Sequence, residues 1–163
     1  MPLTILDPNT ALIVIDLQKG IVNGNFIHPI WEVIDRTRAL NRCFPCEAPP
    51  SRAGQCGGTE QPSDIAVTKR SWGAFATTDL ERQLRARGVT QVVVTGVVTS
   101  GGVEATARQA YEQGFNVTLA LDAMTDIREE AHEYSIRNVF ARLGETGSTQ
   151  EIISLLERRS SAS

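Results

Sequence analysis

Residues 91–114, QVVVTGVVTSGGVEATARQAYEQG, decide the architecture of this 163-residue chain. Residues 91–95 are an apolar, β-branched run of strand length that Gly96 interrupts. Thr99-Ser100-Gly101-Gly102 forms an elbow of small residues. Residues 103–113 then read as a helix, with Val103, Ala107, Ala110 and Tyr111 on one face. Gly114 suits the left-handed position that closes a helix, and residues 116–121 begin a new strand that ends on Asp122. A strand, a tight turn and a helix in this order leave free backbone N–H groups at the helix start. A small ligand bearing negative charge can sit there.

The same alternation extends outward in both directions. Residues 11–16 (ALIVID) are a continuous apolar run ending on a carboxylate, as a parallel strand buried on both faces requires. Residues 17–27 read as a loop, 29–42 as a helix, 65–69 (IAVTK) as a short strand, 71–77 as a loop and 78–87 as a helix. Beyond the central unit, residues 128–142 and 149–158 are helical, and the last residues are a frayed tail. Strands alternating with helices at this spacing predict a three-layer α/β/α doubly wound parallel sheet in a single domain over 1–163. Ligands in such sheets bind beyond the carboxyl ends of the strands, where Asp16, Lys69 and the 99–102 elbow would meet.

Composition narrows the function classes. Apolar residues make up 41% and charged residues 21%, ordinary values for a globular protein. A net charge of −3 argues against nucleic acid or an anionic membrane as the partner. No apolar stretch approaches the roughly 20 residues of a membrane span. The N-terminus lacks the basic start and apolar centre of a secretory signal, so the expected location is the cytoplasm.

Cys43, Cys46 and Cys56 all fall in residues 43–63, a stretch rich in proline and glycine with no aliphatic run. Cys43-Phe-Pro-Cys46 has the spacing of a redox pair or half a zinc site. A zinc site needs about four ligands, and His28 and His132 are far away in sequence. Pro45, Pro49 and Pro50 exclude the helix that a thioredoxin-like motif opens. Incidental thiols, with no metal and no cofactor, are the expectation.

Asp16 at the end of a buried strand calls for a partner, because an unpaired buried carboxylate is costly. Lys69, at the end of another predicted strand, supplies one. A structural ion pair at the sheet edge and a catalytic pair both fit this pattern.

Three stretches in order, ALIVIDLQKGIV (11–22), VTKRSWGAFATTDLERQLRARGV (67–89) and VVVTGVVTSGGVEATARQAYEQGFNVTLALDAMTD (92–126), resemble the isochorismatase-like hydrolases. That superfamily includes the nicotinamidases and carbamoylsarcosine-type amidohydrolases. The resemblance implies a parallel doubly wound sheet, a small-molecule substrate and a homo-oligomer, dimer or larger. It matches Asp16 and Lys69 to the aspartate and lysine of the family's Asp–Lys–Cys triad. Gly102 stands where the G-V-x-T-S-x-C-V-E pattern carries its cysteine, in GVVTSGGVE. Without that thiol, thioester-forming amidase chemistry lacks its nucleophile.

Two readings of Gly102 follow. Isochorismatases are similar in carrying glycine there and cleave a vinyl ether by proton delivery from the aspartate, with no covalent intermediate. The flanking TSGGVEATA is more similar to the cysteine-hydrolase branch with its thiol removed, which implies a ligand-binding or assembly protein without turnover. Thr99 or Ser100 as nucleophile needs an adjacent base, and none is evident. Gln18, Trp72, Phe75, Val98, Thr99 and Ser100 are expected to contact substrate. Val97–Val98 falls where the family has a non-proline cis peptide. The zinc motif of nicotinamidases, Asp-x-His with a further histidine, is not found. Between the first helix and IAVTK the family has a further strand. Residues 43–63 do not read as one, so the sheet is expected to lack it, as after an internal loss or a local change of reading frame.

Overall fold

Apolar runs on two different periods build the three layers. In the computed structural model, which describes residues 1–44 and 65–161, the chain forms β1 (Thr10–Ile15), α1 (Ile30–Cys43), α2 (Leu80–Ala86) and β2 (Gln91–Val97). A π-helical turn (Thr99–Val103) leads into α3 (Glu104–Glu112), followed by β3 (Asn116–Thr125). Then come α4 (Glu129–Tyr134), a second π-helical stretch (Ser135–Phe140), α5 (Ala141–Leu143), β4 (Glu145–Gly147) and α6 (Thr149–Ser160).

The four strands lie in the order β1-β2-β3-β4, with every pair parallel. Successive side chains of β1 point to opposite faces. Ala11, Ile13 and Ile15 join Val92 and Val94 beneath Leu80 and Leu84 of α2 and Ala107 and Ala110 of α3. Leu12 and Val14 join Val93 and Val97 beneath Val33 and Leu40 of α1 and Ile152 and Leu156 of α6. Each such side chain contributes about 1.5–3 kcal/mol when fully buried. The α/β/α sandwich expected from the alternation is therefore the fold.

Several local expectations need correction. Residues 65–69 form no strand: they keep a strand's period-two burial, with Ile65 buried and Val67 half-buried, but pair with no strand among the described residues. A short alternating run specifies which side is buried, not a hydrogen-bonding neighbour. β3 does not stop at Asp122 but continues to Thr125 across an irregularity, where Val94 pairs with Leu119 and Gly96 with Met124. Asp122 lies within this bulge, accepting from the Thr149 N–H at 2.7 Å and hydroxyl at 2.8 Å. The three-residue β4 was not foreseen, being too short for a pattern. The helix predicted over 128–142 is broken by its π-helical stretch, and the central helix begins four residues early, within the elbow. Cys43 closes α1 rather than opening an irregular segment. The rest of the call on residues 43–63, with Cys46, Cys56 and the missing strand, lies outside the described residues apart from Phe44.

Candidate active site

β1 is followed by α1 on one face of the sheet, and β2 by α3 on the other. The topological switch point therefore falls between the carboxyl ends of β1 and β2, where open α/β sheets bind ligands. Gly96 makes the close approach of these two strands possible. It pairs with Ile15 at φ 117°, and a Cβ there would collide with the Ile15 carbonyl. Asp16 follows directly in a left-handed conformation (φ 52°), which aspartate tolerates better than most residues.

A cleft of about 700 Å³ opens at this point. At its base the Lys69 Nζ lies 2.6 Å from Asp16 Oδ2 and donates to the Trp72 carbonyl at 2.8 Å. The loop that delivers Lys69 is fastened to α3: the Ala74 N–H donates to Thr106 Oγ1 at 3.1 Å and the Phe75 N–H to Gln109 Oε1 at 3.0 Å. Gly102 completes the group. A Cβ built on it would lie 2.9 Å from Ile15 Cγ2, 3.0 Å from Lys69 Nζ and 3.2 Å from Asp16 Oδ2. The ion pair thus occupies the space that a side chain at position 102 would enter.

The elbow is held from behind by two residues that sequence reasoning missed or misread. Asp126, 1% exposed, accepts from the Ser100 N–H at 2.7 Å and the Ser100 hydroxyl at 2.8 Å through Oδ2. Its Oδ1 accepts from the N–H groups of Ile127 at 2.8 Å and Arg128 at 3.3 Å. His132, considered in the sequence only as a distant zinc ligand, is buried with Nδ1 2.8 Å from Thr99 Oγ1, and its ring meets His28 edge-on at 5.1 Å. Burial pushes the His132 imidazole below its ordinary 6.5, and His28 pushes the same way, opposed by Asp126, Glu133 and Glu129. Asp126 was legible in principle: once β3 is read through Met124, Asp126 is the carboxylate at its carboxyl end.

Of the expected contact residues, Trp72, Val98 and Ser100 line the cleft together with Asp16, Lys69 and Gly102. Thr99 is buried on His132 behind the wall, and Gln18 is exposed and forms no part of it. Phe75 turns into the core against Phe115, with ring centroids 5.8 Å apart. An aromatic ring gains more from a packed core than from a half-open wall. The peptide bond between Val97 and Val98 is cis. Cys43 packs under the opposite face of the sheet, where burial pushes its thiol up. Glu104, Ile127, Arg128 and Tyr134 also line the cleft and were not anticipated. Among the described residues no group of three or more His, Cys, Asp or Glu side chains could hold a metal ion.

Comparison with known proteins adds four findings. Residues 57–151 match the family model of the isochorismatase domain. The chain is 36% identical to the uncharacterized isochorismatase family protein YecD of Escherichia coli O157:H7, covering 90% of this chain and 96% of that protein. That alignment spans 182 residues, more than the whole of this chain, so the relative carries residues that this chain lacks. An isochorismatase family protein from Burkholderia thailandensis superposes with a TM-score of 0.86 at 31% identity, covering 94% of this chain and 98% of that one. The YcaC gene product of Escherichia coli, described as an octameric hydrolase of unknown specificity, shares the fold at a TM-score of 0.79 and 21% identity, over 97% and 84% of the two chains.

Proposed function

Since the chain belongs to the isochorismatase family, we propose that it hydrolyses a small molecule by proton transfer from Asp16, without a covalent intermediate. The observation that carries this reading is the Lys69–Asp16 pair, 2.6 Å apart, pressed against Gly102, where an added Cβ would lie 3.0 Å from Lys69 Nζ and 3.2 Å from Asp16 Oδ2. A vinyl ether suits such a site. Asp16, in its protonated form, would deliver its proton to the enol-ether carbon, and water would add to the resulting oxocarbenium carbon and return a proton to the Asp16 carboxylate. The hemiketal would then break into a ketone and an alcohol. Lys69 would hold the Asp16 carboxylate in place, and the Thr99–Gly102 elbow, with Trp72 and Val98, would seat the substrate.

The rival reading is a ligand-binding or assembly protein without turnover. It is favoured by the same Gly102, which leaves the position matched to the family's cysteine without a nucleophile. The test is turnover of isochorismate, nicotinamide and maleamate-type or carbamoyl amides beside Asp16→Asn and Gly102→Cys variants. Isochorismate cleavage that falls by about a hundredfold or more in Asp16→Asn is the expected result. Native silence, with amide cleavage appearing only in Gly102→Cys, would instead identify a former cysteine hydrolase.

Self-association belongs to the same proposal, supported by the octameric description of the YcaC product, and light scattering of the purified protein checks it. The proposed location is the cytoplasm, where a free thiol such as Cys43 stays reduced.

A further inference from the structure

We infer that His28 and His132 form a pH-sensitive clasp behind the elbow, which fastens Thr99 near neutral pH and releases it in mild acid. The inference rests on the elbow being the ligand seat of the proposed function, and not on turnover.

The chain has two histidines, His28 and His132. One lies in the segment before α1 and the other in α4, yet their rings meet with centroids 5.1 Å apart at 66°. Histidine is the side chain whose ordinary charge change falls in the physiological range, and the fold brings both copies to one place. Each ring also reaches a buried threonine through Nδ1. His132 lies 2.8 Å from the hydroxyl of Thr99, the first residue of the elbow. His28 lies 3.1 Å from the hydroxyl of Thr125, the residue before Asp126. Thr125 Oγ1 also accepts the His28 N–H at 3.3 Å, and the Asp126 carbonyl accepts the Ile27 N–H at 2.9 Å. The pair therefore joins both supports of the elbow, directly at Thr99 and through Asp126 at Ser100.

Protonation changes what this joint can do. A neutral ring can accept a threonine hydrogen at Nδ1, whereas an imidazolium donates from both nitrogens. The Thr99 hydroxyl, wholly buried, must then accept and turn its own hydrogen into a wall closed to water, which weakens the contact. The rings differ in access: His28 is exposed and His132 is buried. A charge on the outer ring repels a second charge on the inner one, so the pair titrates as a unit. Burial and His28 disfavour the His132 cation, while Asp126 from the loop after β3 and Glu133 and Glu129 on α4 favour it. The elbow, Thr-Ser-Gly-Gly, brings no ionisable side chain to the contact.

Nitrogen-15 NMR of the purified protein between about pH 4.5 and 8 is the test. Two histidines give two ring titrations, and the amide signals of Ser100, Gly101 and Gly102 report on the elbow in the same samples. The elbow amides are expected to shift with the midpoint of the His132 ring. His28→Asn should raise that midpoint by about half a pH unit or more, because it removes the neighbouring charge. His132→Asn should abolish the movement of the elbow. His28→Asn alters an exposed side chain, so the test stands even where His132→Asn does not fold. An elbow that stays still over this range, a His132 midpoint unmoved by His28→Asn, or an elbow titration that survives His132→Asn would each overturn the clasp. The measurement uses no substrate, so the two readings fail separately. A titrating elbow in a protein without turnover removes the hydrolase alone, and turnover with a still elbow removes the clasp alone.

Discussion

Asp126 shows how one buried carboxylate organises the far side of the cleft. Its two oxygens hold the N–H and hydroxyl of Ser100 on the elbow and the N–H groups of Ile127 and Arg128 on the facing loop. An anion with four donors in place of water is well compensated, and such charge-assisted bonds are the strong ones. Replacing it with asparagine removes the charge and turns an NH₂ group toward one set of donors. We therefore expect Asp126→Asn to lower stability by about 2–3 kcal/mol in urea unfolding, with the m-value unchanged. An unchanged midpoint would mean that the elbow and the loop hold each other without it. Gly102 belongs to this scale too, because the absent side chain is what lets Lys69 and Asp16 close on the elbow.

The critical contact between elements is the crossing of β1 and β2. Thr10 to Ile15 pair in register with Gln91 to Gly96. At the carboxyl end the pairing depends on a glycine at φ 117° pressed against the Ile15 carbonyl. An alanine there meets both a disfavoured backbone conformation and the backbone of the neighbouring strand, which cannot yield as a side chain tip can. Gly96→Ala should cost about 3 kcal/mol or more and part the strands beside Asp16. Thermal unfolding measures the loss, and a melting temperature within a degree or two of the native protein would contradict the register. The neighbouring segment, residues 65–69, teaches the converse lesson. Its alternating burial places Ile65 in the core and leads to Lys69 at the cleft without pairing to a strand among the described residues.

At the scale of the whole molecule, the pH dependence of stability carries the signature of the buried histidine. His132 takes up a proton less readily in the folded protein than in the unfolded chain, because burial disfavours its charged form. Below about pH 6.5 the unfolded state therefore binds more protons, and stability declines as the pH falls from there until the folded value is passed. Above 6.5 this group contributes no slope. His132→Asn, which keeps a polar atom near Thr99 but does not titrate, should flatten that part of the curve in melts between pH 5 and 8. A curve that keeps the same slope in both proteins would assign the effect to other groups.

How far the chain could be read in advance follows from the range of the interactions involved. The layered sheet was legible because hydrophobic periodicity is local: ALIVI and QVVVT read as buried strands whatever surrounds them. Asp16, Lys69 and the elbow could be named as companions because the ends of parallel strands must converge. Tertiary structure alone decided the remainder. The bulge that carries β3 to Thr125 depends on how it pairs with β2, and that pairing brings Asp126 under Ser100. Phe75 faced a choice between cleft and core that only its packing on Phe115 resolved. Whether a charge in the wall is engaged is likewise a property of neighbours distant in sequence, as the Ser135 hydroxyl on Glu104 shows.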